Sequence, residues 1–279
     1  MPTQTTRARP QAAALLRQWR EMRGKSQLEL SLDAGVSQRH ISFIEIGRTV
    51  PSRQMLIDIA TALDMPLRDR NTLLLAGGYA PIYSDGAWDG PEMRSITKAL
   101  ERMLRQHEPF PALVMDRYWN VMMTNQATPR FFGCFCNIAA RDRPRNLLQL
   151  MFDPTGMRPF IAEFPTAAKS LMERVYRESV GRVVDDRTKE LLASLLAFPD
   201  IELPPEAMRP QAATPVIPIS FIKEGRRLNY FSMVTTVGTP QTVAAQELRL
   251  ECMFPADEET EALHAVLLSE GASQDQNHP

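Results

Sequence analysis

The amino-acid sequence predicts an all-α N-terminal domain followed by an α+β domain with an antiparallel sheet. Three observations carry this. Up to Gly77, apolar residues recur at helical spacing in short runs bounded by capping signals. After about residue 215 the period shortens: β-branched and aromatic runs at 215–222, 227–237 and 242–254 are separated by Gly225 and Gly238, which suggests a meander. Between these regions, residues 78–91 (GYAPIYSDGAWDGP) concentrate Gly, Pro and Asp. The expected division is a first domain over 1–77, a linker over 78–91, a second domain over 92–268 and a disordered polar tail over 269–279.

In the first domain, Ala13–Arg23 carries Leu15, Leu16, Trp19 and Met22 at helical spacing and is ended by Gly24. Ser26 caps a second helix, Glu29 completes a capping box, and Leu28, Leu30 and Leu32 follow. Ala34-Gly35-Val36 reads as a tight turn, and Ser37 caps a third helix running to Gly47. Pro51-Ser52 opens a fourth helix, and Pro66 a fifth that stops at Gly77-Gly78. Leu16, Trp19, Leu28, Val36, Ile41, Ile44, Leu56 and Ile59 are the expected core. The second domain reads as a helix over Glu92–His107, two hairpin-like runs at 112–116 and 118–124, and helices at 147–152, 166–180 and 187–198. The sheet and a last helix, Glu258–Leu268, follow.

The composition is that of a globular chain: 279 residues, 44% hydrophobic and 23% charged. No run of 18 apolar residues occurs, so no membrane span is expected, and the N-terminus lacks the continuous apolar stretch of a secretory leader. Three cysteines argue against a disulfide framework and for the reducing cytoplasm. Net charge is −1, yet residues 1–77 hold 11 Lys+Arg against 7 Asp+Glu, while the remainder hold 21 against 26. A basic front on an acidic back suits nucleic-acid contact through the front alone.

Two capped helices around a glycine turn make a helix-turn-helix, whose second helix enters the major groove. Here that helix begins Ser37-Gln38-Arg39-His40-Ile41-Ser42-Phe43-Ile44-Glu45. Ile41 and Ile44 make its buried face, leaving Gln38, Arg39, Ser42 and Phe43 outward. Gln matches the polar edge of adenine and Arg that of guanine, while Phe43 suits a thymine methyl group or else extends the core. Gln27 is placed to meet a phosphate at a helix start, and Arg48 and Arg53 to grip the backbone. Arg20 and Glu45 are expected to pair within the domain. The expected DNA-contacting set is Gln27, Ser37, Gln38, Arg39, His40, Ser42, Phe43, Arg48 and Arg53.

The stretch SQLELSLDAGVSQRHISFIEIGRTVPSRQMLIDIATALDMP closely resembles the XRE family of phage-repressor-like regulators. Cap, turn glycine, reading helix, Glu-x-Gly-Arg and the following Pro-Ser all occur in register. The resemblance implies a phage-repressor-like fold that binds an operator, with Gln27, Gln38, Arg39 and Phe43 matching positions that touch DNA in that family. The remainder resembles the ligand-binding domain of MmyB-like transcription regulators, which is PAS-like. The matching segments are HEPFPALVMDRYWNVMMTNQA (107–127), NLLQLMFDPTGMRPFI (146–161), and VGTPQ with ELRLECMFPADEETEALHAVLL within 237–268. That family implies a small-molecule or lipid sensor, with fatty acids the associated ligand class. Residues 163–165 depart from it, reading Glu-Phe-Pro where an Asn-Trp or Asp-Trp pair is expected.

The residues of the second domain offer material for an apolar cavity. Eleven of the 15 methionines lie after residue 90, a flexible and polarizable lining for a variable guest. By the period of two, Trp119, Val121 and Met123 share one strand face. Phe132, Phe152, Phe160 and Tyr176 complete the expected ligand-contacting set, although such stripes alone more often form plain core.

No catalytic residues, metal site or cofactor are expected. His40, His107, His264 and His278 lack ligand spacing, and Cys134-Phe-Cys136 has one intervening residue rather than the two to four of zinc sites. Ser220 and Lys223 form an S-x-x-K, but on a strand they point to opposite faces. The expected protein is a DNA-binding regulator, a homodimer on a double-stranded operator, responding to a small apolar ligand. One alternative is a repressor whose C-terminal domain only dimerises or binds a protein partner; another is a self-cleaving repressor.

Overall fold

Capping chemistry sets the limits of the first helices. The computed structural model describes residues 5–141, 143, 145–178, 185–201 and 218–275. In it α1 spans Thr5–Met22, α2 Gln27–Asp33, α3 Gln38–Glu45, α4 Arg53–Ala62 and α5 Leu67–Ala76. Ser26 and Glu29 exchange side-chain and backbone hydrogen bonds in a full capping box. Ser37 Oγ accepts from the His40 N–H and Ser52 Oγ from the Met55 N–H. Gly35, at φ +63°, supplies the left-handed residue that turns α2 into α3. Helix α1 begins at Thr5, ahead of the expected Ala13, and runs through Pro10, a residue that the helix signals would place at a start rather than inside.

Leu16, Trp19, Leu30, Ile41, Ile44, Leu56, Ile59 and Leu63 form the core of this unit, each at most 3% exposed. Two expected members differ. Leu28 is 52% exposed and Val36 only half-buried. Helix α2 points Leu30 inward, and Leu28, two residues away, lies about 200° round the helix. Beyond α5, Asn71 is buried: its Oδ1 accepts from the Ile82 and Tyr83 N–H groups and its Nδ2 donates to Tyr83 O. Residues 82 and 83, inside the expected linker, are thereby fastened to α5. Among the described residues, the first compact unit takes in 5–88 and Thr239–Gln246, and the second the remainder.

The second unit is built on a five-stranded sheet of β1 (Ala112–Met115), β2 (Val121–Thr124), β3 (Pro218–Lys223), β4 (Arg226–Thr236) and β5 (Arg249–Pro255). Its order is β2-β1-β5-β4-β3, with every neighbouring pair antiparallel. A 3-10 turn at Pro91–Met93 leads into α6 (Arg94–Gln106). Helices α7 (Ala127–Gly133), α8 (Leu147–Phe152), α9 (Phe164–Glu178) and α10 (Asp186–Leu196) lie between β2 and β3 in sequence. The sheet contributes Leu113, Met115, Phe221, Leu228, Tyr230 and Met253 to one apolar cluster, which Phe131, Phe152, Leu171 and Leu195 complete from the helices.

Residues 243–247, expected as strand, form a helical turn, α11 (Val243–Glu247). Thr242 Oγ1 accepts from the Ala245 N–H, and Ala-Ala-Gln-Glu favours helix once that cap is made. The last helix, α12 (Glu258–Asp275), is longer than expected, so residues 269–275 of the expected tail are helical. Acidic residues fill its first turn and no proline interrupts its end. Residues 276–279 of that tail, and 215–217 of the expected strand start, lie outside the described residues.

His264 on α12 fastens two other segments. Its Nδ1 accepts from Tyr230 Oη at 2.8 Å, while Nε2–H donates to Pro109 O at 3.0 Å. Burial pushes His264 below the ordinary histidine value and Tyr230 above the ordinary phenol value, so the ring stays neutral and the phenol protonated.

Two predictions follow from this packing. Leu30→Ala costs the first unit about 2–5 kcal/mol, the price of a cavity, whereas Leu28→Ala stays within about 0.5 kcal/mol, as at ordinary surface sites. Urea unfolding of both variants checks this, and equal losses would overturn the core assignment. For His264 the folded pKa lies below the unfolded one, so its contribution is complete above about 6.5 and fades as pH falls below it. Thermal melts of the second unit from pH 7.5 to 5 should therefore decline, and more shallowly in His264→Gln; equal slopes would refute the assignment.

Candidate nucleic-acid interface and ligand-domain core

Two isoleucines fix the rotation of α3. With Ile41 and Ile44 buried, Ser37, Gln38 and Arg39 are exposed, and His40, Ser42 and Phe43 are half-buried. One carboxylate fixes its position. Glu45 Oε1 accepts from Arg20 Nε at 2.6 Å and Oε2 from Arg20 Nη2 at 2.9 Å, so the bidentate pair joins α1 to α3 as expected. Gln27, the first residue of α2, donates Nε2–H to the same Oε2 at 2.8 Å. The amide of Gln27 is therefore held in place rather than free.

Phe43 stands outside the apolar core of its unit. Its ring instead carries two guanidinium groups, Arg39 at 5.1 Å and Arg48 at 5.9 Å from the centroid. Arg53 is exposed at the first residue of α4. Arg17, Arg20, Arg23 and Lys25 are paired with Glu21, Glu45, Asp64 and Asp33. Among the described residues, Arg39, Arg48 and Arg53 have no such carboxylate. Three of the described cations without a carboxylate partner thus lie on and just after α3; Arg70 on α5 also lacks one but is engaged by Met65 O, Thr61 and Tyr83.

In the second unit, six of the seven expected ligand residues border the apolar cluster: Trp119, Phe132 and Phe152 within it, Val121, Phe160 and Tyr176 packed against it. Met123 does not, and the expected shared face of Trp119, Val121 and Met123 is corrected. Val121 pairs with Met115 but Met123 with Val114, and the bulge between these pairs turns Met123 to the other face. There Met123 lines an open cleft of about 380 Å³ with Leu104, Glu101 and Arg105. Trp119 precedes β2 in a turn at φ +67°, where Asp116 Oδ1 accepts from the Tyr118 and Asn120 N–H groups.

A group of charges escaped the sequence reading. Arg174 on α9 donates Nη1–H and Nη2–H to Glu251 Oε1 and Oε2 on β5, at 3.1 and 2.9 Å, and Nε–H to Glu178 Oε1 at 2.6 Å. Arg249 also donates to Glu178, through Nη1 to the carboxylate and Nη2 to the carbonyl. The alternation Arg249-Leu-Glu251 was visible, but not that its charged face turns toward the core.

Ser220 Oγ donates to Asn229 Oδ1, and Lys223 Nζ donates to the Cys134 carbonyl, so the S-x-x-K residues engage separate partners. Among the described residues no three His, Cys, Asp or Glu side chains are grouped to hold a metal ion, and no helix is long and apolar enough to cross a membrane.

A model of the MmyB-like transcription regulator ligand binding domain matches residues 96–267, more than half the chain. The chain belongs to that family. A helix-turn-helix model matches residues 16–69, so this MmyB-like chain carries a helix-turn-helix region ahead of its ligand-binding domain. An uncharacterized HTH-type transcriptional regulator of Sinorhizobium fredii (strain NBRC 101917 / NGR234), y4dL, is 34% identical over 101 residues, or 33% of this chain and 48% of the relative. The match therefore spans about half the length of that relative. Within the chain, the ligand-domain match takes in all five strands and the helix-turn-helix match runs from α1 into α5.

Because Glu45 serves two partners, Glu45→Ala leaves the largely buried Arg20 with only the Lys25 carbonyl and a longer contact to Glu21, and should destabilise the first unit by about 3 kcal/mol. Denaturant unfolding checks this. A variant as stable as the parent would show that the carboxylate does not hold the three helices.

Proposed function

We propose that this chain is a one-component transcription regulator: a cytoplasmic homodimer that reads a double-stranded operator with α3 and senses a small apolar ligand in its second unit. The observation that carries the DNA reading is the set of unpaired arginines around α3, two of them stacked on Phe43. An operator's phosphates are the natural partner for cations lacking internal carboxylates. Gln38, Arg39, Ser42 and Phe43 face base edges in this reading. Gln27, Ser37, His40, Arg48 and Arg53 face the backbone.

The proposed division remains a head over 1–77, a linker over 78–91 and a PAS-like sensor over 92–268, with residues 82 and 83 of the linker fastened to the head. Membership of a ligand-binding family and the aromatic and methionine residues of the apolar cluster in the second unit support an apolar guest, with a fatty acid the favoured class. Ligand would act by favouring one placement of two heads over another, which changes their joint hold on an operator.

Arg39→Ala should cost operator binding roughly 1–3 kcal/mol and relax discrimination against random DNA. Arg48→Ala should weaken both about equally and make the salt dependence shallower by about one unit. Titration of operator and random duplexes across salt concentrations reads both, and discrimination untouched by Arg39→Ala would reject its role. For the sensor, solvent extraction of the purified protein with mass spectrometry should find a co-purifying lipid. If none is found and fatty acids of rising length also fail to bind, the second unit only dimerises or engages a protein.

A further inference from the structure

We propose that Arg174 and Arg249, at the margin of the apolar cluster beside Trp119, form the seat for the carboxylate of an apolar acid, and that Glu178 fills this seat when no ligand is bound. The inference rests on the ligand-sensing reading above and deepens it by naming the head-group contacts.

The two carboxylates of the cluster differ in kind. Glu251 lies in the central strand, its side chain 7% exposed, and takes both terminal nitrogens of Arg174 in a bidentate pair. Glu178 is the most exposed member at 21%, against 10% for Arg174 and 11% for Arg249. Its carboxylate bridges Arg174 Nε and Arg249 Nη1. Among the described residues it is the one carboxylate that Arg249 reaches. Burial first, and then the like charges of Arg174 and Arg117, hold Arg249 below the usual guanidinium value against the opposing effect of Glu178 and Glu251, so a carboxylate partner favours its charged form. An incoming carboxylate would exchange for the Glu178 carboxylate without burying any new net charge, which avoids the main cost of moving an ion into a protein.

Trp119 supplies a second, independent mark. It is 1% exposed, and its indole N–H has no hydrogen-bond partner among the described residues. An orphaned buried donor is costly and calls for an explanation. The guanidinium of Arg174 lies over the face of that same ring, 4.4 Å from its centroid, so the orphaned donor and the proposed seat adjoin. The apolar part of a ligand has its surface close by. Met115 is the cross-strand partner of Arg249 and Leu113 that of Glu251, and both belong to the apolar cluster with Trp119 and Val175. Displaced from the arginines, Glu178 would free the end of α9, giving ligand a state to favour.

Calorimetric titration of the full-length protein with decanoate and with decan-1-ol tests this, since the probes share a tail and differ in charge. The parent should prefer the acid. Glu178→Gln, which removes the competing charge, should tighten decanoate on the order of tenfold, the worth of one charge-assisted hydrogen bond, and leave decanol unchanged. Trp119→Phe keeps the ring and deletes only the orphaned N–H; it should weaken decanoate several-fold and spare decanol. Thermal melts establish that each variant is folded, and the Trp119→Phe comparison decides the matter should Glu178→Gln fail to fold. If the folded variants move both probes alike or move neither, the seat is elsewhere and the sensor reading stands. Failure of both probes to bind the parent and every folded variant overturns the seat and the sensor reading together.

Discussion

The carboxylate of Glu45 joins three helices at one point, taking a bidentate pair from α1 and an amide from the start of α2 while belonging to α3. Ile41 and Ile44 alone would fix which side of α3 faces the core but allow it to slide along its axis. Glu45 removes that freedom at the far end of the helix, and Ser37 closes the near end. A helix of eight residues held at both ends and buried along one stripe has a single outward aspect. The placement of Gln38, Arg39, Ser42 and Phe43 is a consequence of that constraint, not of any preference of their own.

The second unit repeats the device with a different balance. Glu178 also serves two partners, Arg174 and Arg249, but its side chain is 21% exposed where that of Glu45 is 3%. A shared carboxylate that water hardly reaches behaves as a fixed joint, because releasing it strands a buried cation. One at the margin can be exchanged for another acceptor of the same charge. The same chemistry thus yields rigidity in one place and, as proposed, responsiveness in the other.

Legibility in the sequence followed the range of the interactions involved. The starts of α2, α3 and α4 were readable because a serine cap acts on a backbone group three residues away. The Arg20–Glu45 pair was readable because the helix-turn-helix pattern brings those positions together. Leu28 and Leu30 were not distinguishable, since leucines at every second position of a seven-residue helix give no unique phase. The reversal of Met123 was hidden because a bulge is set by the partner strand. The Arg174 cluster was hidden for a related reason: Arg174 and Glu178, one turn apart, resemble an ordinary surface pair until β5 is laid beneath them.

Phe43 supports two arginines at once, Arg39 and Arg48. In the proposed interface one of them addresses a base and the other the backbone, so a single ring underlies both sequence preference and general adhesion. Divergence of this protein toward a new operator would then be uneven across its surface. Changes at Phe43 alter both properties together and carry a double penalty, while Gln38 and Ser42, with no stake in that ring, are the positions through which a descendant can acquire a new target without loosening its grip on DNA.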